Sequence, residues 1–397
     1  LTCCYVGVAF SNMYSQAAYQ GGAFRKGLLE DWLTQSKFTP KNLELFRAHP
    51  DYDDFWKALN PESVAAQVNV PTMFLGGWYD IFSAGTINSF VTINKQGGEG
   101  ARGKCRLIME PYGHGRCNDL VFPNASHPKA ADMWNWFDVW LKNDGRGIEQ
   151  IPAVQYFVMG DPADPNTYGN QWKTADDWPL PAHIVPVYFH TDNKLRLTAS
   201  EELFGSLSYK YDPKDPVPTV GGANLTGTKG PMDQRSVEER PDVLLFTSPE
   251  FDRYIEFTGS IKVKLWASST APDSDFTAKL CDVYPDGRSM IVLDGILRAS
   301  HRNSMESREP MEPGKIYELE IDLWSTSLVV GPGHRVRIAI SSSNSPRFEP
   351  NPNTGGIPGA DNKKTEIATN TIYMNATHPS HILLPVAAHW PPKAEAN

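Results

Sequence analysis

The spacing of hydrophobic and polar positions changes near residue 150. Before it, segments with helical period dominate: "GGAFRKGLLEDWLTQS", "LELFRAHPDYDDFWKAL" and "KAADMWNWFDVWLKNDG". In the last of these Met133, Trp136, Phe137, Trp140 and Leu141 fall on one face, and Gly145 is the expected stop. Between the helical segments lie short apolar runs at 70–76 and 105–110 that read as buried strands. After residue 150 the alternation has period two. "SIKVKLWAS" sets Ile261, Val263 and Leu265 against Lys262 and Lys264, and "DFTAKLCDVYPDGRSMIVLDGILRAS" is two strands around a Pro-Asp-Gly turn. "GKIYELEIDL" and "HRVRIAISSS" continue the pattern. An α/β unit followed by a β-sandwich is predicted, with "VMGDPADPNTYGNQW" as a long surface loop after the first strand of the second half.

Two strand ends carry candidate chemistry. "VPTMFLGG" leads into Asp80, and the helical segment "TINSFVTINKQGG" follows it and ends at Gly97 and Gly98. "CRLIMEPYGHG" is a second strand of the same kind, ending on His114. In a parallel sheet both side chains emerge at one carboxyl edge. There an acid can hold an imidazole in one tautomer while the imidazole takes a proton from a hydroxyl. Strand-end Asp and His residues also cap helices and satisfy backbone groups, so spacing alone leaves both readings open.

A chain of 397 residues is expected to form two or three domains, and 40% hydrophobic with 21% charged residues is the composition of a globular protein. The net charge of −9 and the lack of any basic run argue against a nucleic-acid partner. Five scattered cysteines without CxxC spacing indicate neither a zinc site nor a disulfide framework, although a Cys105–Cys117 bridge stays open. His378 and His381 flank Pro379, which no helix interior tolerates, so they read as structural hydrogen-bonding groups rather than a metal pair. Asn124, Asn224 and Asn375 are formal glycosylation acceptors. No apolar run reaches 18 residues, so no transmembrane helix and no membrane partner is expected. "LTCCYVGVAF" lacks an initiator Met, a basic segment and a cleavage site. It reads as an interior strand, the chain is expected to be truncated, and the compartment is left open between cytoplasm and an extracytoplasmic space.

Several longer motifs occur in order over almost the whole chain: "GGWYDIF", "EPYGHG", "TADDWPLP", "YDPKDPVPTVGG", "GPGHRVRIAISSSNSPRF", "NPNTGG" and "HPSHILLPV". Together they resemble the CocE/NonD group of serine hydrolases, to which cocaine esterases, α-amino acid ester hydrolases and Xaa-Pro dipeptidyl-peptidases belong. The resemblance implies the carboxyl-terminal half of an α/β-hydrolase sheet with a helical cap, then a galactose-binding-like jelly-roll β-sandwich. On that basis residues 1–27 are a remnant of the core and the start of the cap, 28–66 the cap, 67–148 the core with acid and His, and 149–397 the jelly roll. Asp80 becomes the triad acid, His114 the general base, and Tyr19, Trp32 and Phe82 the wall of an acyl pocket. No cofactor and no metal are implied, and the substrate is a small ester or short peptide with an apolar acyl group. Glu110 and Tyr112 stand where the family pattern has Gly and Trp.

The larger departure is the missing G-x-S-x-G elbow that carries the family nucleophile. Ser11 and Ser15 are hydroxyls without glycine flanks, so the nucleophile is unassigned. The resemblance therefore implies a serine hydrolase whose Ser lies outside this chain, inactive alone, with the other half of the sheet supplied from upstream, by a second chain or by a homo-oligomer. The competing reading is a non-catalytic jelly-roll protein that binds carbohydrate or a partner.

Overall fold

The computed structural model describes residues 1–115, 121–129, 132–356 and 364–387. The chain opens on a short strand, β1 (Cys4–Gly7), and reaches a hairpin, β2 (Tyr19–Gln20) and β3 (Ala23–Phe24). Gly21 and Gly22 form its tip at φ of 53° and 77°, a region that costs glycine little. A Cβ on Gly21 would overlap the Ile296 carbonyl, so glycine is what lets the tip press onto the β-rich half.

Helices α1 (Lys26–Gln35), α2 (Pro40–Ala48) and α3 (Asp54–Lys57) follow, packed around Tyr14, Tyr19, Phe24, Leu29 and Trp56. The helical pattern over "LELFRAHPDYDDFWKAL" is split, contrary to expectation. Pro50 disfavours a helical residue before it, so α2 stops at Ala48, and α3 restarts once the Asp53 side chain accepts from the Phe55 N–H at 3.1 Å.

Next come β4 (Thr72–Tyr79), α4 (Ser83–Gln96), β5 (Arg106–Gly113), α5 (Met133–Phe137), β6 (Val154–Val158) and β7 (Gln171–Ala175). Among the described residues these strands form one sheet in the order β1-β4-β5-β6-β7, parallel except for β7. Its central strands are buried on both faces. Phe74 and Leu107 share a core with Ile87 and Phe90 of α4, while Met73 and Ile108 pack with Trp136 near α5. Hydrogen bonding thus continues past residue 149: β6 and β7 complete this sheet, although the sequence reading assigned them to the following domain. The helix from Met133 also departs from its pattern. It passes into a π-helical turn at Asp138–Lys142, which shifts the register, so Val139 is buried and Leu141 is 62% exposed. Gly145, at φ 81°, ends it as expected.

The second half holds β8 (His183–Phe189), β9 (Leu195–Arg196), β10 (Ser206–Tyr211), β11 (Leu244–Thr247), β12 (Ile255–Ser269), β13 (Asp275–Val283), β14 (Ser289–Arg298), β15 (Tyr317–Val330), β16 (Arg335–Ser341), β17 (Ala368–Tyr373) and β18 (His381–Val386). Two antiparallel sheets result, β11-β16-β13-β14 and a larger one centred on β12. Ile261, Val263 and Leu265 face inward as the alternation predicts, and they share a core with Phe276, Leu280 and Ile338 of the other sheet. The halves are joined by main chain, since Met159 donates to the Ser327 carbonyl and accepts from the Val329 N–H. Buried ion pairs, such as the two-pronged Arg298–Asp275 contact at 2.8 and 2.9 Å, lie inside the second half.

Candidate active site

The ends of β4 and β5 are shaped by two adjacent glycines. A Cβ on Gly77 would overlap the Tyr112 carbonyl oxygen, and one on Gly76 would lie 2.9 Å from a Thr86 methyl. Their absence of side chains lets β4 approach both β5 and α4. Pairing then slips between Gly77 and Tyr79, where Pro111 and Tyr112 of β5 oppose a single residue. Such a bulge re-aims the side chains beyond it.

Just past the slip, Asp80 is fully buried. Its Oδ1 accepts from the Phe82 N–H at 2.7 Å and its Oδ2 lies 2.9 Å from Nδ1 of His114. A carboxylate only accepts, so the ring proton sits on Nδ1 and Nε2 is left to exchange a proton with a reacting group. The His114 side chain is 28% exposed, which gives such a group access. Phe82 stands edge-on to the imidazole at 5.6 Å, and Phe10 stands edge-on to Phe82 at 5.5 Å.

Three of the residues singled out from sequence are therefore gathered: Asp80, Phe82 and His114. Tyr19 and Trp32 belong to the helical-layer cluster against which Phe82 and Phe10 also pack. Tyr19 is buried in the helical layer, stacked on Tyr14 at 4.9 Å, and its hydroxyl donates to the Phe46 carbonyl. Trp32 is half-buried and packs on Phe38. Neither Ser11 nor Ser15 reaches His114; the Ser11 hydroxyl is buried and donates to Glu62. Among the described residues no hydroxyl or thiol hydrogen-bonds to His114. Glu110 is held by His127 at 2.6 Å and makes no bond to His114.

Sequence reasoning missed Phe10 and Arg25. The Arg25 guanidinium is buried and donates to the carbonyls of Gln16 and, at 3.1 Å, Ile81, tying down the residue after Asp80. Burial, and then repulsion from Arg347, lowers its pKa, while Asp294 and Asp80 pull the other way. The only sequence signal was an arginine inside the apolar segment "GGAFRKGLL".

The remaining candidates are occupied structurally. His378 Nδ1 meets the Thr377 hydroxyl and His381 Nδ1 the Pro379 carbonyl. Asn224 and Asn375 are buried and hydrogen-bonded, whereas Asn124 is exposed. Cys105 is a buried free thiol; Cys117 lies outside the described residues. Among the described residues no cluster of three or more His, Cys, Asp or Glu could hold a metal ion, and no helix is long and apolar enough to cross a membrane.

Residues 15–116 match the family model of X-Pro dipeptidyl-peptidase (S15 family), and residues 146–383 that of the X-Pro dipeptidyl-peptidase C-terminal non-catalytic domain. The chain belongs to the CocE/NonD family. Among family relatives, cocaine esterase of Rhodococcus sp. (strain MB1 Bresler) is 35% identical over 358 residues, which is 85% of this chain and 60% of that enzyme. The chain thus spans less than two thirds of that relative's length. The fold is shared with an aminopeptidase from a marine sediment Thaumarchaeota archaeon, at TM-score 0.83, 22% identity and 97% and 72% coverage of this chain and that one. It is shared too with an α-amino acid ester hydrolase, at TM-score 0.80, 24% identity and 97% and 73% coverage.

Proposed function

We propose that this chain carries the acid–base half of a serine hydrolase that cleaves a small ester or short peptide amide with an apolar acyl group. His114 takes the proton of an attacking serine and returns it to the leaving group, and Asp80 orients the ring and stabilises the imidazolium. The observation that carries this reading is the buried Asp80 carboxylate with one oxygen on His114 and the other held by main chain.

Phe82, with Phe10 behind it, forms the apolar wall for the acyl group, gaining roughly 25 cal/mol per Å² of apolar surface covered. The serine is supplied from outside these 397 residues, on a strand that adds to β1, whose outer edge has no partner among the described residues. More of the same polypeptide or a second chain could provide it. Without that strand the base has nothing to activate and the oxyanion donors, each worth about 3 to 4 kcal/mol of barrier, are missing. The two antiparallel sheets are read as a jelly roll.

A fluorophosphonate probe tests the reading on the longest natural product of the gene. Labelling is expected on a serine absent from this chain and, in His114→Ala, at a rate about 10⁴-fold lower. Absence of any labelled serine, or labelling indifferent to His114, would refute it.

A further inference from the structure

A cavity of about 460 Å³ lies between the hairpin tip, α4 and β15, and neither Asp80, Phe82 nor His114 lines it. Gln20 projects into it from the hairpin and is 4% exposed, yet among the described residues neither its amide nitrogen nor its amide oxygen has a partner. The side chain is held there by the backbone. Gln20 pairs with Ala23, and Gly21 is pressed against Ile296, so the hairpin cannot swing the amide out to solvent. A buried amide left this way opposes folding unless something in the cavity satisfies it.

The opposite wall is built by an irregularity in β15. Its pairing with β12 slips between Ser260 and Lys262, and Trp324 takes a φ of 70°, which a non-glycine residue rarely adopts. The Trp324 N–H donates to Asp322 Oδ1 at 2.8 Å, while Asp322 Oδ2 makes no hydrogen bond among the described residues. Trp324 presents a half-buried ring beside it. Glu320 on its wall is paired with Lys262 at 2.5 Å, and the Arg25 guanidinium lies 5.4 Å from the Trp324 ring. An unpaired amide, a free carboxylate oxygen and an aromatic face together suit hydroxyl groups on an apolar carbon skeleton.

We propose that this cavity binds a neutral polyhydroxylated ligand, a monosaccharide or small polyol. Its hydroxyls would bond the Gln20 amide and Asp322 Oδ2, and its C–H face would lie against Trp324.

Isothermal titration calorimetry and saturation-transfer NMR on the whole chain test this with glucose, galactose and myo-inositol, and with choline as a cationic control. Saturable binding of at least one neutral probe is expected. Gln20→Met, which keeps the volume but removes the hydrogen bonds, should weaken that binding at least tenfold while melting no lower than the parent. Asp322→Asn, a change at an exposed strand position, should also weaken it and serves as the test if Gln20→Met fails to fold. The proposal is overturned by the absence of saturable binding to the parent, by undiminished binding in the folded variants, or by binding of choline alone.

Discussion

Asp80→Asn separates the orienting role of this side chain from its structural one. Asparagine keeps an oxygen for the Phe82 N–H, so the loop after β4 should hold. Facing His114 Nδ1, however, it presents an amide nitrogen that donates, and the imidazole is no longer held in the tautomer that leaves Nε2 unprotonated. In the hydrolase complete with its nucleophile, kcat is expected to fall about 10⁴-fold with the melting temperature nearly unchanged. Steady-state kinetics and calorimetry check both halves of that expectation, and a loss of less than tenfold would count against the assigned role. The same residue-scale view explains why Phe82 was legible and Phe10 was not. Phe82 is two positions from Asp80 in sequence, whereas Phe10 reaches it only through the packing of β1 beside β4.

At the scale of elements, the site depends on how closely two strands approach. Gly77 has no side chain to collide with the Tyr112 carbonyl, and the slip in pairing that follows brings together two groups 34 residues apart. Gly77→Ala must push β5 away or distort β4, at a cost of about 1 to 3 kcal/mol typical of overpacking. Thermal denaturation should register that loss, and labelling by a fluorophosphonate should slow by more than stability alone accounts for, because His114 moves with β5. Unchanged labelling in the folded variant would show that the close approach does not position the pair. Strands were easier to read than helices for a related reason. Alternation in β12 reflects burial directly, but the face presented by the segment from Met133 depends on a π-helical turn that no spacing of apolar residues announces.

At the scale of the whole molecule, the helical layer is locked to the β-rich half through His301, whose Nε2 lies 3.0 Å from Asp51 Oδ1. Burial, and then the charge of Arg298, lowers the pKa of His301 to about 4, with the Asp51 hydrogen bond opposing them. The folded protein thus keeps this ring neutral while the unfolded chain protonates near pH 6.5. Burial of the neutral ring favours the folded state fully above that pH, and that contribution is lost as the pH falls from 6.5 towards 4, by on the order of 3 kcal/mol at most. Urea unfolding at pH 7.5 and pH 5 should show the drop, and His301→Asn should reduce the difference; equal pH dependence in the two proteins would exclude this origin. The outer edge of β1, unpaired among the described residues, is the other property of the whole. Light scattering on the isolated chain should reveal concentration-dependent association, and a monomer at every concentration would contradict it. By itself the sequence determined the local matters: the change from α/β to alternating strands, the glycine turns, and the placement of Asp80 and His114 at strand ends, since each follows from residue spacing along a few turns of backbone. Tertiary structure alone decided that β6 and β7 complete the first sheet, that Arg25 and Phe10 support the acid loop, and that Gln20 faces a cavity. Each of those depends on which distant side chain fills the neighbouring space, and that choice is made by packing across elements, which periodicity along the chain does not encode.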